Sequence, residues 1–347
     1  MAIGKETTAW RITMPGMLTT VQDAGRIGYQ QYGMPVAGAM DGESYRLGQR
    51  LVGNDTDMGA LECTVMGPSF ISEGPAVIAF TGADMSPAVN GTPVPMNTPL
   101  AVAPGDEVTT GFASYGVRMY IAVRGGVRVT PVNGSVATHG KSGIGGFKGR
   151  KLQKDDVLTV ARTVEVPQLH VDPDYEGPFN GTTTPIRVVL GPQHERFTKE
   201  ARHTFFTSPY LITPTSDRMG YRLAGQALTH TDGADIISDG AVFGSIQVPS
   251  DGQPIILMAD RQTTGGYTKI GTVITPDLPR LAQMPVETTI HFTEVTVEEA
   301  QALYREYKER EASWVQTKEK AVSLLYSSVL PWGETEKRLS IRNDSYV

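Results

Sequence analysis

The sequence predicts a mainly β protein of two domains, and three observations support this prediction. At 347 residues the chain is longer than one ordinary hydrophobic core accommodates. Its 38 glycines and 23 prolines indicate many turns, and therefore many short strands. Alternation typical of a strand occurs where Val117, Met119, Ile121 and Val123 are separated by single residues.

The first half of the chain is predicted to contain strands, turns and one short helix. A strand is expected at residues 10–14, and residues 18–41 then include glycines and a proline that break any long element. Tyr45, Leu47 and Leu51 have spacings that suit a helix over residues 43–52. From residue 61 to about residue 160 the pattern is β. We assign residues 1–161 to the first domain.

The second half begins after a predicted linker at residues 162–184, which has several prolines and no periodicity. Strands are expected at residues 186–190, 269–274 and 289–295, with a helix over residues 195–206. We assign residues 185–295 to the second domain. Thr296 and Glu299 have the spacing of a capping box, which predicts the start of a C-terminal helix. Residues 296–347 are assigned to this helix and a tail.

Composition excludes several classes of function. The formal net charge of -6 argues against a nucleic-acid surface and against binding to an acidic membrane. The single cysteine, Cys63, excludes an intrachain disulfide, which fits a reducing compartment. No apolar run approaches the ~20 residues of a transmembrane helix, and no signal sequence is recognisable. We therefore expect a cytoplasmic protein.

One stretch, residues 239–267, concentrates groups that bind or react. The apolar run at residues 255–258 predicts a buried strand that ends close to Asp260. Polar groups at the end of a rigid strand, followed by two glycines, are typical of a site on a stiff scaffold. The sequence therefore predicts a functional site rather than a solvated turn. Its candidate residues are Gln247, Asp260, Arg261, Gln262, Thr263, Thr264, Gly265, Gly266 and Tyr267.

Other motifs do not support an alternative site. Residues 134–142 resemble a phosphate-binding P-loop but have five residues between the glycines, where the motif needs four. The six histidines are scattered without metal-ligand spacing, so we expect no metal site. Cys63 lies in an apolar stretch, which favours a buried structural thiol over a nucleophile.

Several long segments together carry a resemblance to a known family. The segments are TTVQDAGRIGYQQYGMPVAGAMD (19–41), LVGND with GALE (51–62), IAFTGAD (78–84), DRMGYRL (217–223) and the run SDGAVFGSIQVPSDGQPIILMADRQTTGGY (238–267). They resemble the allophanate hydrolase subunit 2-like, biotin-dependent carboxyltransferase family over roughly residues 10–300. The resemblance implies two β-barrel domains, the second similar to cyclophilin.

Within that family the chain looks most like a subunit of the ATP-dependent 5-oxoprolinases. The resemblance implies cleavage of 5-oxo-L-proline, a cyclic amide, to L-glutamate with ATP hydrolysis. Residues 260–266 share the aspartate and the two glycines of a corresponding urea carboxylase run but differ in its middle, which suggests a different substrate.

Cleavage of a lactam needs a base, donors that hold negative charge, and a clamp for the substrate carboxylate. We assign Asp260 as the acid/base group, and we expect Arg261 and Gln262 to hold negative charge or the substrate. Thr263, Thr264 and the backbone amides of Gly265 and Gly266 are assigned as hydrogen-bond donors. Gln247 is expected on an adjacent strand that faces the pocket. The further candidates are Arg26, Tyr29 and Asp41 from the first domain and Arg218 from the second. For each candidate the alternative is a structural ion pair or turn, and this alternative applies above all to Asp41 and Arg218.

The resemblance also implies partners and cofactors. One partner is of the allophanate hydrolase subunit 1-like type, and a third 5-oxoprolinase subunit is expected. ATP with Mg is expected to act at the level of the complex. Two alternatives remain open: a carboxyltransferase subunit of a biotin-dependent urea- or guanidine-type carboxylase, and a regulator without catalytic activity that binds a partner protein. Biotin is required only by the first alternative.

Overall fold

The computed structural model describes residues 6–54, 58–179 and 184–317. Within these ranges the chain is mainly β, which confirms the predicted fold class, and it has four α-helices. No helix in the described ranges is long and apolar enough to cross a membrane. The predicted tail lies almost entirely outside the described residues.

The first domain consists of two sheets that face each other across one core. Sheet order is β11-β1-β4-β9-β6-β7 in one and β2-β3-β10-β5-β8 in the other. Trp10 and Phe70 stack in the shared core, with ring centroids 4.3 Å apart, together with Phe80 and Met119 of the opposite sheet. The strands are β1 Thr7–Met14, β2 Leu18–Gln22, β3 Ala60–Thr64, β4 Ser69–Ser72, β5 Ala76–Asp84, β6 Ala88–Val89, β7 Thr92–Pro93, β8 Leu100–Val102, β9 Glu107–Thr109, β10 Tyr115–Val123 and β11 Val157–Ala161.

The second domain is a nearly closed barrel of eight strands. Its sheet order is β21-β14-β15-β18-β17-β20-β13-β22, and its two end strands are separated in sequence by His291 alone. The sheet therefore curves until its ends meet. Strands β16 and β19 form a separate two-stranded ribbon. The strands are β13 Ile186–Leu190, β14 Tyr210–Ile212, β15 Gly220–Gly225, β16 Asp235–Gly240, β17 Ser245–Gln247, β18 Ile255–Leu257, β19 Thr264–Tyr267, β20 Lys269–Val273, β21 Thr289–Ile290 and β22 Phe292–Glu294.

Three of the four α-helices in the described ranges lie within a few residues of their predicted positions, and the short helix at Leu278–Ala282 was not predicted. Helix α1 spans Gly42–Leu51, α2 spans Lys199–Thr207, α3 spans Leu278–Ala282 and α4 spans Val297–Ser313. Helix α2 begins four residues later than predicted because a 3-10 turn, His194–Arg196, precedes it. The segment predicted as a linker without periodicity contains a short strand, β12 (Leu169–Val171), which pairs with β23 (Val315–Thr317).

Helix α4 connects the second domain to the first. The predicted capping box is confirmed, since Thr296 Oγ1 accepts from Glu299 N (3.2 Å) and Glu299 Oε2 accepts from Thr296 N (2.8 Å). At the opposite end, the buried Glu311 carboxylate accepts from Arg46 and Arg50 of α1. Trp314 contacts α1 through both arginines, at 5.9 and 5.7 Å from its ring centroid. The C-terminal helix therefore holds the two domains together.

Candidate functional site

An ion-pair cluster lies buried between the two domains. Arg218 binds both oxygens of Asp260, at 2.9 and 3.1 Å, and its third nitrogen donates to Glu62 of the first domain. Glu62 also accepts from the Tyr120 hydroxyl (2.7 Å) and the Met40 amide (2.8 Å). Each charge is therefore paired and hydrogen-bonded, as buried charges require.

Strand register explains why Arg218 meets Asp260. Strands β15 and β18 are antiparallel, with Gly220 opposite Leu257. The residues just before β15 and just after β18 therefore lie side by side. A backbone bond from Asp260 N to Arg218 O (2.8 Å) continues this pairing beyond the strands.

Asp41 and Arg26 have structural partners that the sequence did not indicate. Asp41 is the N-cap of α1 and accepts from two α1 amides, the Ser44 hydroxyl and the Gln283 side chain. Burial of Asp41 raises its pKa, although these hydrogen bonds oppose the shift. Arg26 is fully buried and donates to the carbonyls of Val132 (2.9 Å) and Ala137 (2.7 Å). Neither side chain is free to reach a substrate in this arrangement.

A cleft of about 770 Å³ gathers four of the predicted residues. Gln247, Arg261, Gln262 and Tyr267 line it from the second barrel, and Lys141 lines it from the first domain. Lys141 belongs to the stretch rejected as a P-loop, and its ammonium donates to Met219 Sδ at 3.6 Å. The cleft is thus built by both domains.

Arg261 places an uncompensated positive charge in this cleft. The residue is 8 % exposed, and its guanidinium donates to the Ala241 and Met258 carbonyls at 3.2 and 3.3 Å. It forms no ion pair with any carboxylate of the described residues. Burial lowers the pKa of Arg261 to about 10. A buried cation without a counter-ion is a suitable partner for a ligand carboxylate.

Gln247 supplies an unused hydrogen-bond donor beside that charge. The residue is buried, and its Nε2 atom has no hydrogen-bond partner in the part of the chain that the structure describes. The amide packs on Gly265, where a Cβ atom would lie 2.0 Å from Nε2. Because Gly265 has no Cβ atom, the Gln247 amide can occupy this space. An unsatisfied buried donor in a cleft fits a ligand oxygen.

The remaining candidates lie outside the centre of this arrangement. The Thr263 carbonyl accepts from Ala241 N, whereas Thr264 is exposed and lies with Gly266 on the two-stranded ribbon. Asp260 lies behind Arg261 and does not line the cleft. Tyr29 precedes the 3-10 turn Gln30–Tyr32 and is 37 % exposed.

Sequence reasoning missed Glu62, Tyr120 and Lys141 as parts of this region. Glu62 could have been noticed as a carboxylate between the apolar residues Leu61 and Cys63 in strand β3. Tyr120 gave no comparable signal, because tyrosine is common in buried strands. Lys141 was not a candidate because the glycine spacing of residues 134–142 does not match a P-loop. The sequence did not show that this loop reaches the second barrel.

The fold belongs to a known class of domain. The model of the family "Carboxyltransferase domain, subdomain A and B" matches residues 32–294. The chain belongs to this family.

Individual relatives define the similarity more closely. The chain is 38% identical to a 5-oxoprolinase subunit of Escherichia coli over 297 residues, which cover 84% of the chain and 92% of the relative. It is 34% identical to the protein of the same name from Haemophilus influenzae, over 82% of the chain and 91% of the relative. The solved urea carboxylase of Kluyveromyces lactis is 28% identical, with a TM-score of 0.80, over 89% of this chain and 29% of that one.

Proposed function

We propose that the chain is a subunit of an ATP-dependent 5-oxoprolinase that cleaves 5-oxo-L-proline to L-glutamate together with partner subunits. The observation that carries this proposal is the buried guanidinium of Arg261, which has no carboxylate partner among the described residues, in a cleft built by both domains. Two relatives that are named as 5-oxoprolinase subunits align over more than four fifths of the chain and support it.

The cleft offers complementary groups for a lactam acid. Arg261 binds the substrate carboxylate, and the free Nε2 hydrogen of Gln247 binds the lactam oxygen. Gln262 and Tyr267 form the walls. A urea or guanidine molecule has no carboxylate and leaves the charge of Arg261 unpaired, which favours the acid as the substrate.

The reaction needs activation because a lactam is a poor electrophile. Transfer of the terminal phosphoryl group of ATP to the lactam oxygen gives a phosphorylated imidate and ADP. Water then adds to the ring carbon, and rupture of the carbon–nitrogen bond, with a proton passed to the leaving nitrogen, gives an acyl phosphate. A second water molecule hydrolyses the acyl phosphate to the glutamate carboxylate and phosphate. In this proposal ATP, with Mg, and the partner subunits act at the level of a cytoplasmic complex.

In this proposal Asp260 has a different role from the acid/base role that the sequence suggested. The sequence assigned it to acid/base chemistry, but both of its oxygens accept hydrogen bonds from Arg218. Proton transfer at this carboxylate would require the loss of one of these bonds. We therefore propose that Asp260 fixes the turn that carries Arg261, and acid/base action is the alternative that a pH–rate profile tests.

The second candidate function is carboxyl transfer from carboxybiotin to a urea-like amide. It is favoured by the similarity to urea amidolyase of Saccharomyces cerevisiae, 29% identical over 86% of the chain and 17% of the relative. The urea carboxylase structure described above supports it in the same way.

ATP turnover by the reconstituted complex separates these functions. We expect stimulation by 5-oxoproline without bicarbonate and without inhibition by avidin. Stimulation by urea or guanidine alone, blocked by avidin, would overturn the proposal in favour of the second candidate. A complex that turns over ATP with none of these substrates would favour the regulator.

Variants of Arg261 test the carboxylate contact. Arg261→Gln should raise KM for 5-oxoproline more than tenfold, equivalent to about 1.4 kcal/mol or more. Arg128→Gln is the control, because Arg128 is an exposed arginine that does not line the cleft. An unchanged KM in Arg261→Gln would remove Arg261 from substrate binding.

A further inference from the structure

Lys141 of the first domain places a second positive charge in the cleft. Its ammonium contacts Met219 Sδ at 3.6 Å, and a thioether sulfur is only a weak acceptor. Lys141 forms no ion pair with a carboxylate in the part of the chain that the structure describes. The substrate contacts proposed above use Arg261 and Gln247, and they leave the charge of Lys141 without a partner.

The base of the loop that carries Lys141 is fixed to both domains. The amide and the hydroxyl of Thr138 donate to the carbonyl of Val21 in β2, at 3.0 and 2.8 Å. His139 is buried, and its Nε2 atom lies 3.4 Å from the carbonyl oxygen of Asp260 in the second domain. Lys141 follows two residues later on the exposed tip of the loop. Its position is therefore tied to the turn that follows β18.

Backbone contacts connect the positions of Lys141 and Arg261. Met219, which the Lys141 ammonium contacts, accepts a backbone hydrogen bond from Met258 (2.9 Å). The Met258 carbonyl in turn accepts from the Arg261 guanidinium (3.3 Å). Because paired strands lie only about 4.8 Å apart, the two cations border adjacent parts of the cleft.

The cleft has an excess of positive charge, although the chain as a whole has a formal net charge of -6. Its charged lining residues are the cations Lys141, Arg222 and Arg261 and the carboxylates Asp217 and Asp251. Asp217 Oδ1 already accepts from the backbone amides of Met219 and Gly220, at 2.8 and 3.1 Å. A local excess of positive charge in a concave site attracts an anionic ligand.

The volume of the cleft leaves room for a ligand larger than a lactam acid. The cleft measures about 770 Å³, which lies within the ~300–1,000 Å³ of pockets that hold drug-sized ligands. The 5-oxoproline molecule is much smaller than such a ligand, and its single carboxylate can pair with only one of the two cations. A second anionic group on the ligand would pair with the other cation.

We propose that the cleft binds an anion with two charged groups, a carboxylate at Arg261 and a phosphoryl group at Lys141. This inference rests on the proposed function, in which the terminal phosphoryl group of ATP passes to the lactam oxygen. The bond from the phosphorus to ADP breaks as the bond to the lactam oxygen forms, and ADP keeps the electron pair. Lys141 donates hydrogen bonds to the non-bridging oxygens of the transferred group and keeps its own protons. A positioned ammonium of this kind stabilises the negative charge of a phosphoryl group in transfer.

A stable analogue of the phosphorylated lactam tests this pairing in the full-length chain without turnover. In 5-phosphonopentanoate, four methylene groups separate the carboxylate from the phosphonate, as four atoms separate the carboxylate from the phosphorus in the phosphorylated lactam. Pentanoate lacks the phosphonate, and inorganic phosphate lacks the carboxylate. Ligand-observed NMR titration measures the affinity of all three, and we expect the analogue to bind about tenfold or more tightly than either of the others.

Variants of two lysines in the same loop assign the phosphonate contact. Lys141→Met should weaken binding of the analogue about tenfold or more and leave binding of pentanoate unchanged. Lys148→Met is the matched control, because Lys148 is an exposed lysine of this loop that does not line the cleft. Its affinity for the analogue should equal that of the wild-type chain.

Kinetics of the reconstituted complex separate the role of Lys141 from that of Arg261. Lys141→Met should lower kcat for ATP turnover with 5-oxoproline about tenfold or more. KM for 5-oxoproline should stay within about twofold of wild type, because the carboxylate contact remains. Arg261→Gln should instead raise this KM. Lys141→Arg keeps the positive charge and should restore most of kcat, which a purely structural role of the lysine would not predict.

Three results would overturn the inference. The first is a wild-type chain that binds the analogue no more tightly than pentanoate or inorganic phosphate. The second is an equal loss of affinity for the analogue in Lys141→Met and Lys148→Met, because the effect would then be one of general charge. The third is an unchanged kcat in Lys141→Met. A wild-type complex without ATP turnover in response to 5-oxoproline would refute the proposed function instead, and the titrations would still decide whether the cleft binds a carboxylate together with a phosphoryl group.

Discussion

Arg218 of the second barrel donates a hydrogen bond to Glu62 of the first domain, from 156 residues away in sequence. Both side chains are buried, and Asp260 completes the cluster. The charges therefore connect the two domains directly behind the turn that carries Arg261. Such a connection makes the position of the candidate site depend on the contact between domains.

Removing Arg218 should destabilise the protein strongly. Arg218→Met leaves two buried carboxylates without their counter-ion and should cost about 3–5 kcal/mol in the free energy of unfolding. The control is Arg11→Met, whose ion pair with Glu73 is exposed and should contribute no more than about 1 kcal/mol. Urea unfolding measures both. Equal losses in the two variants would contradict the buried-cluster interpretation.

Asp260→Asn should distinguish positioning from acid/base action. If Asp260 fixes the Arg261 turn, the variant lowers kcat/KM but keeps both limbs of the pH–rate profile, since the ionising group lies elsewhere. Loss of the limb that reports a required base would assign acid/base action to Asp260 instead. Circular dichroism confirms that each variant is folded, and Asp260→Glu checks whether a carboxylate alone restores activity.

Gly265→Ala should disturb the cleft without disturbing the fold. The added Cβ would lie 2.0 Å from Gln247 Nε2, and this flexible amide must move away from its present place. We expect KM for 5-oxoproline to rise several-fold. Gly266→Ala is the matched control, since its Cβ would meet no atom of the described chain closer than 3.8 Å. Similar kinetics in both variants would contradict a role for the Gln247 amide.

Ionisation of Glu43 should lower the free energy of unfolding as the pH rises towards neutrality. Burial, and then the nearby Asp41, raise the pKa of Glu43 from 4.5 to about 7, although Tyr175 and Tyr307 hydrogen bonds oppose the shift. Between these values the folded state holds a proton that the unfolded state has released. Stability from this group is therefore present in full below pH 4.5 and is lost as pH rises through about 7.

Glu43→Gln should remove that part of the pH dependence. We expect the variant to gain stability relative to wild type, on the order of 2 kcal/mol, between about pH 4.5 and about pH 8. Urea unfolding at both pH values measures the change. Glu298→Gln, an exposed acid in the first turn of α4, is the control. A parallel loss of stability in wild type and Glu43→Gln would assign the dependence to other groups.

The sequence by itself determined the features that depend on neighbours along the chain. The capping box of Thr296 and Glu299 was predicted because both partners lie within one turn. Helix α1 was predicted from the spacing of its apolar residues. Many strands were predicted from the glycines and prolines of the turns and from the alternation of apolar and polar residues. Arg261 and Gln247 were candidates because polar groups follow or flank a buried apolar run, and the structure places both in one cleft.

Only the tertiary structure decided which of the polar candidates are free to bind a ligand. The sequence alone does not distinguish charged side chains that bind a ligand from charged side chains that have a structural role, such as Asp260, Asp41 and Arg26. Their partners come from distant segments, such as Gln283 for Asp41 and Ala137 for Arg26. A charged side chain must find such partners when packing removes it from water. Strand register and the contact between the domains determine those partners. Neither can be predicted from the residues next to each side chain in the sequence.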